Sequence, residues 1–229
     1  MMLETRSGRV SVLLHEQGAP AWRAATGHPM IREIGEGTLP HGRFRGYFGQ
    51  NILYLQDYAR AIALIAGKAP DRAAIATLTR FLSQIVESEI PANLRFFERL
   101  GGDPSAIDAI DALAGMHRVT YAYTRHLLYV AAQGDCVEGL TAVLPCQWSY
   151  GELAVPLARA LPQDPVYAEW IQMFGNDEYD GLVGETTALL DRLADPSDEE
   201  RMRTLSRIFD TSTDFEVRFW DMAYGGLDD

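Results

Sequence analysis

Helical periodicity constrains this chain more than any other feature. Phe44, Tyr47, Asn51, Tyr54, Tyr58, Ala61 and Ile65 follow steps of three and four, forming one continuous helical stripe. The same spacing runs through most of the sequence, and the two-residue alternation of half-buried strands is scarce. It predicts helices near 8–24, 28–35, 40–67, 70–100, 116–133, 136–161, 164–174, 176–194 and 198–223. The breaks, "EGTLPHG", "GKAPD", "LGGDPS", "AQGD", "LPQDP" and "ADPSDEE", each supply Gly, Pro or Asp in turn or capping roles. In the last of them Ser197 is the expected cap, followed by an acidic first turn. Short connections predict antiparallel neighbours. With no internal repeat and no linker, the expectation is one all-α domain over 1–229.

Composition removes several classes of function. The chain has 229 residues, 47% of them hydrophobic, enough to bury a core. A formal net charge of −12 argues against binding a phosphate backbone, so no nucleic acid partner is expected. No run of 18 apolar residues predicts a membrane span, and "MMLETRSGRV" lacks the apolar centre of a signal peptide. Cys136 and Cys146 fall ten residues apart near one helix, about 15 Å, too far to bridge. Two free thiols fit a reducing cytoplasm. None of the five histidines follows a Glu by three positions, and Cys-x-x-Cys and His-Glu-x-x-His are missing. No metal site is expected.

The inner stripes carry polar groups. On the helix from 40, Asn51 and the tyrosines point inward; Gln50 flanks them, and Asp57 is placed at the edge, reaching solvent or a neighbouring chain. After Gly134, a face of Gly139, Val143, Cys146, Tyr150 and Leu153 follows. Pro145 removes a donor beside Cys146, bends the helix and leaves the Thr141 carbonyl in need of a partner. The last helix turns Phe209, Ser212, Thr213, Glu216, Phe219, Trp220 and Ala223 to one side. A carboxylate among aromatics is costly unless hydrogen-bonded, and burial raises its pKa. Tyr123 sits on a stripe with Val119, Leu127 and Val130. Singly, a stripe cysteine is most often core and a buried tyrosine most often bonds a carbonyl. Together they describe a polar pocket in a helical bundle.

Several blocks resemble, in order, those of the TenA (thiaminase II) family: "HPMIREIGEGTLPHGRFRGYFGQNILYL", "YAYTRHL", "AVLPCQWSYGEL", "PVYAEWIQMFG" and "DFEVRFWDMAY". The resemblance implies a haem-oxygenase-like all-α fold, a homotetramer, no metal and no haem. It implies a pocket for a 4-aminopyrimidine, with deamination of the aminomethylpyrimidine or cleavage of thiamin to hydroxymethylpyrimidine. Cys146 matches the family nucleophile, a soft thiolate suited to an electron-poor ring. Glu216 matches a glutamate at a ring nitrogen, doing acid–base work. Tyr54, Tyr123 and Tyr150 match residues that stack on the ring or bond its edge, and Glu152 is read as standing behind them. Members labelled as transcriptional regulators exist, but the acidic pI and missing helix-turn-helix speak against DNA contact here.

Two positions depart from the pattern. Phe174 stands where the family has a tyrosine, and Asn51 where it has an aspartate that meets the aminopyrimidine edge. An amide offers that edge one donor and one acceptor, as Asn does with adenine, yet it transfers no proton. A well-placed acid or base contributes about 10²–10⁴-fold. Binding is therefore expected to persist and deamination to be slow, unless water or Glu216 takes over, with thiamin cleavage less affected. The alternatives are a slow pyrimidine-binding or regulatory protein, or a relative with a different small-molecule substrate.

Overall fold

A computed structural model describes residues 8–109 and 115–226; the expectations for the extreme termini lie outside these. The elements are α1 (Val10–Gln17), α2 (Ala19–Thr26), α3 (Pro29–Glu36), α4 (His41–Ala66), α5 (Arg72–Ser83), a π-helical segment (Gln84–Glu89), α6 (Ile90–Arg99), α7 (Pro104–Ala109), α8 (Arg118–Gln133), α9 (Cys136–Leu157), α10 (Pro165–Phe174), α11 (Asp177–Leu193) and α12 (Glu199–Gly225). No strand occurs among the described residues.

The first expected helix is two. Its break falls at Gly18, just before Pro20, which cannot donate to a preceding turn. The expected helix over 70–100 is continuous in path but changes register at Gln84–Glu89, where Ile90 N–H donates to the Ile85 carbonyl five residues back. Pro91 follows at once; the wider π turn accommodates a residue that has no donor for an α-helical bond. The short α7 lies in a stretch read as a connection. The cap of α12 is Asp198, whose carboxylate accepts from Arg201 N–H, while Ser197 Oγ donates to Asp195. α9 starts with a full capping box between Asp135 and Glu138.

Four long helices, α4, α8, α9 and α12, all pack on one another. α6 and the π segment close one side of α4, and α10 and α11 cover α9. Gly139 permits the α4–α9 approach: a Cβ there would stand 2.5 Å from Ile65. One large hydrophobic cluster runs through all these elements, with a small satellite of Ile52, Leu53 and Ile107.

Because α4 is packed on several sides, Gln50, Asn51 and Asp57 are all buried, although they point in different directions around the helix. Asp57 does not reach solvent; it is buried and paired with Arg60 at 2.7 Å and with Arg125, whose longer side chains carry the charge outward. Gln50 accepts from His117 N–H and the Thr120 hydroxyl and donates to the Gly115 carbonyl, tying α4 to the start of α8.

Candidate active site

Each of the four central helices brings one part of a common site. Cys146 comes from α9, Glu216 from α12, Tyr123 from α8, and Asn51 with Tyr54 from α4. The Tyr123 hydroxyl donates to Glu216 Oε1 at 2.6 Å. The Tyr54 ring lies 5.0 Å from that of Tyr123 and 5.3 Å from that of Tyr58. The Tyr54 hydroxyl is buried and lies against the Cys146 thiol and the Tyr123 hydroxyl. Tyr150 shares a 2.9 Å hydroxyl contact with Tyr47 and packs edge-on to Phe174 at 4.9 Å.

Cys146 keeps accessible surface while Glu216, Tyr54, Tyr58, Tyr123 and Tyr150 around it are buried. Pro145 precedes Cys146 inside α9. The phenol that answers the bend is Tyr58, and it donates to the carbonyl of Val143 at 2.7 Å, not to that of Thr141.

Burial governs the ionisation of the site. It pushes the Cys146 thiol well up, the charges of Glu216 and Glu89 push it further, and the hydroxyls of Tyr54 and Tyr58 work against the rise. Burial raises Glu216 to about 7, against hydrogen bonding from Tyr123 and Cys146. At rest the site holds a protonated thiol hydrogen-bonded to a carboxyl group whose pKa is pushed up to about 7.

The Asn51 amide is oriented by a chain of hydrogen bonds. Asn93 Nδ2 donates to the Glu89 backbone carbonyl at 2.8 Å, which turns Asn93 Oδ1 toward Asn51. Asn51 Nδ2 donates to that oxygen at 3.0 Å. Asn51 is left with one N–H and its carbonyl oxygen, the complement of an aminopyrimidine edge.

Sequence reasoning missed Glu89, Asn93 and Tyr179. Glu89 carried the same signal as Glu216, a carboxylate on an apolar stripe: Leu78, Phe81, Ile85, Glu89, Ala92 and Phe96 follow helical spacing. Burial raises it to about 7, with Gln84 as counterweight. Tyr179 packs edge-on to Phe174 at 5.1 Å and donates to the Gln147 carbonyl, placing a phenol beside the position where a tyrosine hydroxyl is lost. Glu152 does not stand behind the site; it is exposed and pairs with His15 at 3.3 Å. It lines a surface cleft of about 590 Å³ that contains neither Cys146 nor Glu216. A second cleft of about 590 Å³ is bounded by Gln84, Met173 and Tyr179 and meets the site's outer wall. No group of three or more His, Cys, Asp or Glu side chains among the described residues could hold a metal ion.

The description TENA/THI-4/PQQC family matches residues 15–226. The chain belongs to this family. It is similar to the aminopyrimidine aminohydrolase of Halalkalibacterium halodurans, 35% identical over 92% of this chain and 93% of the relative. Among solved structures, a TenA homologue from P. horikoshii OT3 superposes with a TM-score of 0.84 at 30% identity, covering 96% of this chain and all of the other. A domain with a heme oxygenase-like fold from Shewanella denitrificans OS217 superposes with a TM-score of 0.73 at 15% identity, over 93% of this chain and 91% of that one. The fold of this TENA/THI-4/PQQC member is thus the all-α bundle that the periodicity predicted, with the haem-oxygenase-like architecture that the family resemblance implied.

Proposed function

We propose that the protein is a hydrolase of thiamin salvage, acting as a single helical domain on the aminomethylpyrimidine, on thiamin, or on both. The observation that carries this reading is the meeting of Cys146, Glu216 and Tyr123 from three helices, with the buried Glu216 hydrogen-bonded to both of the others, in a chain similar to an aminopyrimidine aminohydrolase. The ring stacks among Tyr54, Tyr123 and Tyr150, with Phe174 behind Tyr150, and its amino edge meets Asn51.

The reaction follows from these groups. Cys146 Sγ bonds to an electron-poor ring carbon, and its proton passes through Glu216 to the neighbouring ring nitrogen. Electron density returned from the ring expels the group on the 5-methylene, as ammonia from the protonated aminomethyl group of one substrate and as the thiazole from the other. Water adds to the methylene and loses a proton to solvent, the ring nitrogen gives its proton back, and Cys146 leaves as the thiol.

The free thiols of Cys136 and Cys146 support a cytoplasmic setting. No helix among the described residues is long and apolar enough to cross a membrane. A homotetramer is part of the reading, supported by Tyr121 and Tyr129, 45% and 69% exposed two turns apart on α8. Asn51 favours a second reading, a pocket that binds a pyrimidine but turns it over slowly. Incubation with aminomethylpyrimidine and with thiamin, followed by mass spectrometry for hydroxymethylpyrimidine, separates the two. Product supports the hydrolase; thermal protection without product supports the binder.

A further inference from the structure

Glu89 is a buried ionisable group to which the reaction above gives no task. It closes the π segment and is only 5% exposed. Its backbone carbonyl anchors the Asn93–Asn51 chain, so the backbone of residue 89 is two hydrogen bonds from the Asn51 amide. Its carboxyl group acts electrostatically on Tyr47 and Tyr58 of α4, Cys146 of α9 and Tyr179 of α11, which sets it among the groups of the site. On its own segment Gln84 hydrogen-bonds the carboxyl group, while the Asn93 amide bonds its backbone carbonyl. A buried carboxyl group with one amide as counterweight, and no cation among the groups acting on it, is expensive to keep for stability alone.

We infer that Glu89 is the proton acceptor on the Asn51 side of the pocket, taking the proton that the substrate's 4-amino group sheds as the leaving group departs. This rests on the hydrolase reading and supplies what that reading lacks. When the carbon–nitrogen bond at the 5-methylene breaks, the bonding pair leaves with the nitrogen, which departs as ammonia from the protonated 5-aminomethyl group. The 4-amino lone pair moves into the ring and a ring double bond shifts to the methylene. The 4-amino nitrogen becomes a positively charged iminium and loses one proton to the Glu89 carboxylate. When water adds to the methylene, its oxygen loses a proton to the released ammonia or to solvent, and the 4-imino nitrogen regains one from Glu89. Asn51 holds the nitrogen in place but accepts no proton. Two carboxyl groups on opposite sides of one ring then divide the work: Glu216 must start loaded for proton delivery to the ring, and Glu89 must start ionised.

The test is the pH profile of turnover in wild type and Glu89→Gln, with aminomethylpyrimidine as substrate and hydroxymethylpyrimidine binding as control. The expected result is a bell-shaped wild-type profile. In Glu89→Gln, kcat falls by about 10²–10⁴-fold, KM changes little, and the limb that rises with pH is lost while product binding persists. A Glu89→Gln protein with wild-type kcat and both limbs overturns the inference. If that variant does not fold, Gln84→Met serves in its place, since Gln84 holds the Glu89 pKa down. It is expected to move the rising limb to higher pH and leave the falling limb in place; an unmoved rising limb overturns the inference. A wild type without turnover on either substrate overturns the hydrolase reading and this assignment with it. Turnover with an insensitive Glu89 overturns this assignment only.

Discussion

At the residue scale the account turns on which groups hold protons. Glu216→Gln keeps the hydrogen bond with Tyr123 but cannot carry a proton, so kcat is expected to fall by about 10²–10⁴-fold and the falling limb of the pH profile to disappear. Steady-state kinetics between pH 5 and 9 check this. Asn51→Asp is a sharper case. From sequence alone it looks like a gain, since it restores a carboxylate. The structure reverses that expectation, because Asn93 Oδ1 is fixed toward position 51 by the Glu89 carbonyl. An ionised aspartate there sets two acceptors face to face, at a cost of about 1–3 kcal/mol. Asn51→Asp is therefore expected to melt earlier than wild type above neutral pH and to show no gain in deamination. Melting curves at pH 5 and 8 decide, because the protonated acid at low pH relieves the clash. Cys146, Glu216, Tyr54, Tyr123 and Tyr150 were legible in sequence because each interrupts an apolar stripe. Glu89 interrupts one too, but in a helix that nothing else marked. Asn93 was not legible, since its role depends on a contact across forty-two residues.

At the element scale the helices were readable from spacing and caps, and the errors share a cause. Proline and glycine act within a continuous path: Pro20 divides α1 from α2, and Pro91 is matched by a change of register instead of a break. Periodicity over a window cannot distinguish these outcomes, because both keep the apolar face. The distance between α4 and α9 was likewise invisible in the sequence, although Gly139 permits it. Gly139→Ala places a Cβ 2.5 Å from Ile65 and is expected to destabilise the fold by about 1–3 kcal/mol, read as a lower Tm. Because α4 and α9 carry Asn51, Tyr54 and Cys146, the same change is expected to reduce turnover more than substrate binding.

At the scale of the whole molecule, two buried acids give the fold a pH signature. Glu89 and Glu216 both titrate near 7 in the folded chain, well above the ordinary carboxylate value of 4.5. Between those values the folded state binds more protons than the unfolded one, so stability falls as pH rises through this window. Each group contributes on the order of 3 kcal/mol if the shift is fully expressed. Carboxylates whose pKa is lowered, such as Asp71 and Asp195, titrate below the window, whereas His126, lowered by burial from 6.5, opposes the decline over the part of the window below that value, and Asp210, raised by burial, adds to it. Tm is expected to decline from pH 5 to pH 8, and Glu89→Gln and Glu216→Gln each to flatten the decline. The sequence contained one of these two acids in plain view and half of the explanation for the other. The central claim concerns chemistry, and it is tested most directly by comparing wild type with Cys146→Ser for release of hydroxymethylpyrimidine from aminomethylpyrimidine and from thiamin. The account predicts product from wild type and none above background from Cys146→Ser, with ligand binding intact in both. Full turnover by Cys146→Ser, or bound pyrimidine without product in wild type, contradicts it.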